Sequence, residues 1–168
     1  MAGWRILDPK PLTADAFAPF GDVLAVDLSA PDVINDGYTE RFADLAGIDV
    51  AEAGGRPLVH LYRTRRFELP RSLTMMERHP KGSQAFMPLD AGRYVAVVAP
   101  ADVAAPGPDD VRAFLCGPGQ GLNLRRGVWH HPMMPVDGPM TLFVIERGAD
   151  DANCDIVALA KDAVVVGR

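Results

Sequence analysis

The chain has 168 residues, of which 48% are apolar, enough for one sizeable core, and this length fits a single domain over residues 1–168. A formal net charge of -5 argues against a nucleic-acid-binding surface, which needs a basic face to displace counterions. No apolar run approaches the about 18 to 20 residues that cross a bilayer, and no secretory pattern opens the chain, so the expectation is a cytoplasmic protein with no membrane partner.

Taken in order, Trp4 to Leu7 reads as a short strand ending at Asp8-Pro9. Thr13 suits an N-cap for one or two helical turns over Ala14 to Phe17, stopped by Pro19 and Gly21. Asp22 to Val26 returns to strand character, and Asn35-Asp36-Gly37 suits a hairpin turn leading into Tyr38 to Leu45. In Pro57 to Arg63, Leu58, His60 and Tyr62 alternate with Val59, Leu61 and Arg63, as in a strand with two unlike faces. Phe67 to Pro70 and Leu73 to Met76 are further short strand candidates, and Tyr94 to Ala99 is the clearest buried strand. Asp109 or Asp110 can cap a short helical turn before Val111 to Leu115, and Met140 to Ile145, Asn153 to Leu159 and Val164 to Val166 close the chain. Cys116 and Cys154 are too few for a disulfide scaffold and are expected as small buried apolar residues with no catalytic role. Short strands, frequent Gly and Pro and hardly any helical periodicity describe a mostly β chain, an antiparallel barrel or sandwich with a few short helices. No G-x-G-x-x-G lies between a strand and a long helix, so no dinucleotide or other organic cofactor is expected.

Two stretches carry the polar chemistry. In Met76 to Pro88, Glu77 and His79 share one strand face while Arg78 points away, and Gln84 lies beyond a Gly82-Ser83 turn. This is the layout by which a cupin, a jelly-roll barrel, presents His-x-His and a following Glu, with Glu77 in place of the first His and Gln84 in place of the Glu. In Gly119 to Pro132, Gly119, Gly127 and His130 keep the spacing of the second cupin motif, with Arg125 where that motif has Pro. Glu77, His79, Gln84 and His130 are therefore expected to converge inside the barrel. They can hold a divalent ion such as Ni, Mn or Zn, although Gln is a weak ligand, or act without metal by moving protons. His60, alone in an apolar strand, reads more simply as packed or exposed. Trp129 faces away from His130, and His131 falls outside the motif spacing. Arg78 and Lys81 can equally be solvated surface residues. Yet a small carboxylate ligand needs a cation; Arg63, Arg78, Lys81, Arg125 and Arg126 are available, and Arg126 or Arg78 is the choice on position.

These motifs, together with Ile34 to Ala46, Glu77 to Leu89, the RAF, GQG and VWHHP elements of Arg112 to Pro132, and Arg147 to Asp155, give a sequence that resembles the ureidoglycolate lyase family over nearly its whole length. The resemblance implies a single-domain cupin-like antiparallel β-barrel, a homodimer, that splits (S)-ureidoglycolate into glyoxylate and urea in allantoin breakdown. Two positions depart from the family pattern: Leu124 stands where Tyr often follows the Asn, and Glu146 stands where Asp-Arg-Gly is usual. The reaction needs only a base for the hydroxyl and an acid for the leaving nitrogen. On this reading His79, His130 and Glu77 handle protons, Gln84 and Asn123 hold the ureido group, and Arg78, Arg126 or Lys81 holds the carboxylate. An amidohydrolase releasing ammonia from the same substrate, and a cupin-like protein that binds a small carboxylate without turnover, remain as alternatives.

Overall fold

The computed structural model describes residues 5–167, so the expectation for Trp4 lies outside the described residues. The chain is mostly β, as its composition of short punctuated strands predicts. A five-stranded antiparallel sheet runs in the order Gly21–Leu24, Gly121–Leu124, Gln84–Pro88, Met140–Gly148, Arg56–Thr64. A seven-stranded sheet runs Asp155–Ala158, Met75–Arg78, Trp129–His130, Tyr94–Ala99, Arg112–Cys116, Lys10–Pro11, with Met134–Pro135 also paired to Tyr94–Ala99. The two sheets face each other in a jelly-roll-like arrangement that hydrogen bonds do not close into one continuous barrel.

One apolar cluster fills the space between these sheets, with Phe86, Leu122 and Val144 from the first against Ala96, Val98 and Phe114 from the second. A second cluster, including Val95, Val97, Trp129 and Met134, covers the opposite face of the seven-stranded sheet. There the small sheet of Arg5–Leu7, Val164–Val166 and Arg71–Ser72 adds Leu7, Val164 and Val166. Every residue of Tyr94–Ala99 is buried because its strand lies between two cores, which is why its sequence is apolar without alternation.

The helix Ala14–Phe17 is capped by Thr13, whose Oγ1 accepts from Ala16 N at 3.3 Å. Asp32–Ile34 and Thr39–Arg41 form the expected hairpin around Asn35–Gly37. Three expectations fail locally. Phe67 to Pro70 is not a strand: Phe67 N–H donates to Pro135, and its side chain and that of Leu69 pack on the second core. No helical turn precedes Arg112–Cys116; instead the Asp110 carboxylate accepts from Gly107 N–H and forms a tight turn. Cys116 is buried as expected, but Cys154 is exposed, because its loop follows Arg147 out of the sheet.

Candidate active site

Hydrogen-bond register brings the two motif stretches together. Glu77 and His130 are direct partners across the antiparallel pair Met75–Arg78 and Trp129–His130, so their side chains leave the same face side by side. Gly127, at φ +77, adopts a turn that a side chain would strain, and its N–H donates to the His79 carbonyl at 2.9 Å. The turn before His130 is thus tied to the residue two beyond Glu77.

The result is a cavity of about 350 Å³ between the two sheets. One wall carries Glu77, His79 and His130; the other carries Tyr62, Thr64, Gln84, Phe86, Leu142 and Glu146 from the five-stranded sheet. A smaller adjoining cavity of about 230 Å³ shares His79 and Glu146 and is rimmed by Asn153 and Cys154. A different cavity of about 370 Å³, beside Phe67, Leu69 and Val95, has no histidine. Its cations are already paired, Arg93 with Asp137 at 2.7 Å and Arg66 with Glu68 at 3.1 Å.

On the first wall, ligand atoms of Glu77, His79 and His130 all lie within 4.8 Å of one another. His79 Nδ1 is 2.8 Å from the Asn153 carbonyl oxygen and His130 Nδ1 is 3.2 Å from that of Val128. A carbonyl can only accept, so each neutral ring carries its proton on Nδ1 and keeps its lone pair on Nε2. Both Nε2 atoms are buried without a hydrogen-bond partner. His130 Nε2 comes within 3.4 Å of Glu77 Oε1, close enough for an ion pair once protonated but without hydrogen-bond geometry. His130 holds the Glu77 carboxyl below its usual range, against the opposing effect of burial, so Glu77 stays ionised near neutrality.

The second wall is internally bonded. Gln84 Nε2 donates to Glu146 Oε2 at 2.5 Å, Tyr62 Oη donates to the same oxygen at 3.3 Å, and His60 Nε2 lies 3.2 Å from Glu146 Oε1. Burial, then the Glu146 charge, pushes the Tyr62 phenol up to about 12, which keeps it a donor. Gln84 Oε1 is buried and has no partner.

Of the residues singled out in the sequence, Glu77, His79, Gln84 and His130 meet in this cavity, and the other candidates bond elsewhere. The Arg78 guanidinium lies 4.5 Å over the Trp129 ring and pairs with Asp155 at 2.8 Å, on the far face of its strand. Lys81 pairs with Asp151 at 2.7 Å. Arg126 pairs with Asp49 at 2.6 Å and with Glu52 at 3.1 Å. Asn123 faces the opposite side of the five-stranded sheet, donating to Asp22 and the Gly47 carbonyl. His131 is buried against Phe67, and burial lowers its pKa. Among the described residues no Lys or Arg lines the cavity between the sheets. Conversely, Glu146, noted in the sequence only as a departure from the family pattern, lines this wall, and His60, read there as packed or exposed, approaches it. The alternation of Leu58, His60 and Tyr62, matched across the strand pair by Glu146, Val144 and Leu142, is the signal that could have found them.

The donor set of Glu77, His79 and His130 fits a divalent cation on this structure's own terms: two inward lone pairs with oriented rings beside an ionised carboxylate. Comparison with known proteins points the same way as the motifs. The family model described as ureidoglycolate lyase matches residues 4–166. A ureidoglycolate lyase of Burkholderia cepacia is 49% identical over 95% of this chain and 89% of its own length. One from Pseudomonas syringae pv. tomato is 42% identical over 90% of this chain and 88% of its own. The sugar 3,4-ketoisomerase QdtA of Thermoanaerobacterium thermosaccharolyticum superposes with a TM-score of 0.42 at 16% identity, over 80% of this chain and 87% of that one, a likeness too loose to bear on the chemistry. By sequence along almost its whole length, the chain belongs to the ureidoglycolate lyase family.

Proposed function

We propose that the protein is a lyase that cleaves (S)-ureidoglycolate into glyoxylate and urea. The observation that supports this best is the pairing of two inward Nε2 lone pairs with an ionised Glu77 in one cavity, in a chain whose relatives are described as ureidoglycolate lyases. The substrate carries a hydroxyl and a ureido nitrogen on one carbon. Removing the hydroxyl proton lets its electrons form the carbonyl of glyoxylate while the C–N bond breaks, and a proton delivered to the departing nitrogen completes urea.

His79, whose Nδ1 bonds only a neutral carbonyl, offers its Nε2 lone pair as the base. His130 sits against the ionised Glu77, which compensates a proton held on Nε2, and so serves as the acid toward nitrogen. Phe86, Leu142 and Met133 keep the rest of the cavity apolar, which strengthens these interactions. No nucleophile is needed.

Charge balance favours a bound cation as well. Glu77 and Glu146 line the cavity, the substrate is itself a carboxylate, no Lys or Arg among the described residues lines it, and Arg147 of the adjoining cavity is paired with Asp151 at 2.8 Å. Glu77, His79 and His130 would hold a nickel, manganese or zinc ion, which when bound supplies positive charge for the substrate carboxylate and acidifies its hydroxyl. The family resemblance further suggests a homodimer in the cytoplasm.

The first test is His130→Asn, which keeps a polar side chain of smaller volume. Glyoxylate release should fall by about 100-fold or more with the circular dichroism spectrum unchanged. Turnover within a few-fold of wild type would remove His130 from the chemistry. Release of ammonia in place of urea would favour an amidohydrolase instead.

A further inference from the structure

We propose that Glu146 is a positioning residue: it fixes the Gln84 amide with its oxygen toward the cavity, and so makes this wall a receptor for the N–H groups of the substrate's ureido end. The inference rests on the reaction proposed above.

A carboxylate can only accept, so the amide group that meets Glu146 Oε2 at 2.5 Å is the Gln84 NH2, and the oxygen must point away from it. That oxygen is Oε1, buried without a partner, on a residue that is 4% exposed and lines the cavity. An isolated Gln can flip its amide at little cost, so this one is informative only because something holds it. Glu146 is in turn held by the Tyr62 hydroxyl on Oε2 and by the close approach of His60 to Oε1, and the His60 and Tyr62 rings stack at 5.8 Å. The hydroxyl of Tyr62, which otherwise could face a ligand as a donor, is turned to Glu146.

The consequence is that the five-stranded wall turns a fixed acceptor, Gln84 Oε1, toward the cavity. A ligand group that meets this oxygen must bring a donor. The ureido end of ureidoglycolate brings N–H groups, and a buried acceptor left without a donor disfavours analogues that lack them. Glu146 touches Gln84 rather than the reacting atoms, so its effect should fall on binding.

The test uses the intact protein with Glu146→Gln, which allows the amide at 146 to meet Gln84 in either orientation, and Glu146→Asp, which keeps an acceptor. Two readouts are taken: KM and kcat on ureidoglycolate, and the side-chain amide resonance of Gln84 in the 15N spectrum without substrate. The expected result is a KM raised on the order of tenfold in Glu146→Gln. With it should come kcat within about threefold, a displaced Gln84 amide signal, and recovery of both in Glu146→Asp. An unchanged Gln84 signal, or a displaced signal with unchanged KM, overturns the proposal. A fall in kcat with KM unmoved, or an effect equal in both variants, marks a merely structural role and overturns it too. If wild type turns over no ureidoglycolate, the lyase reading fails by itself, while the Gln84 signal still decides whether Glu146 sets the amide.

Discussion

The two walls of the cavity are built from similar polar residues and put to opposite use. On the seven-stranded side, backbone carbonyls take the outer nitrogens of His79 and His130 and leave both inner nitrogens unpartnered beside Glu77. On the five-stranded side, Gln84 and Tyr62 donate to the single carboxylate of Glu146 and His60 Nε2 approaches it to 3.2 Å without a hydrogen bond, so that Gln84 Oε1 is the unpartnered atom that faces the cavity. Buried polar groups without partners are expensive, and a fold keeps them where a ligand, an ion or a proton completes them. On the proposed function the first wall is the reactive one, and the second is its template.

That contrast can be broken in three ways. The largest effect is expected on the reactive wall: His79→Asn should lower kcat by about 100- to 10,000-fold, the range a positioned acid or base contributes, with little change in KM. A change confined to KM would make His79 a binding group. On the template wall, Tyr62→Phe deletes the hydroxyl that steadies Glu146, and we expect KM to rise by a few-fold and kcat to stay near wild type. A collapse of kcat in that variant would show the two walls to be one machine. The smallest effect is in acid. The folded state holds the Glu77 carboxyl below its ordinary value of 4.5, so the stability it contributes is complete above that value and lost as pH falls through the lowered folded value. Comparing acid unfolding of wild type with Glu77→Gln should show a shallower decline below 4.5 in the variant. Identical profiles would mean that Glu77 and His130 do not interact in the native state.

Much of the reactive wall was legible in the sequence because motif spacing encodes register. The interval from Glu77 to Gln84 spans one strand end and turn, and that from Gly119 to His130 fixes another, so their convergence followed without any knowledge of partners. The strand at Tyr94–Ala99 was legible for the same local reason. The cations were not, because their fate depends on residues far along the chain. Arg126 is claimed by Asp49 and Glu52, Lys81 by Asp151 and Arg78 by Asp155 and Trp129, and no local pattern announces those pairs. Asn123 failed for a subtler reason: it neighbours cavity strands but has the odd parity, and a strand sends alternate residues to opposite faces. Glu146, noted in the sequence only as a departure from the family pattern, has the right parity and pairs directly with Gln84 across the sheet.

The most direct measurement of the central claim is a product assay: purified protein with racemic ureidoglycolate, before and after chelation, with glyoxylate, urea and ammonia determined separately. The account predicts glyoxylate and urea in equal amounts above the spontaneous rate, with loss on chelation assigning Glu77, His79 and His130 to a bound ion and persistence assigning them to proton transfer alone. Ammonia as the nitrogen product, or no glyoxylate beyond the spontaneous background, would contradict it.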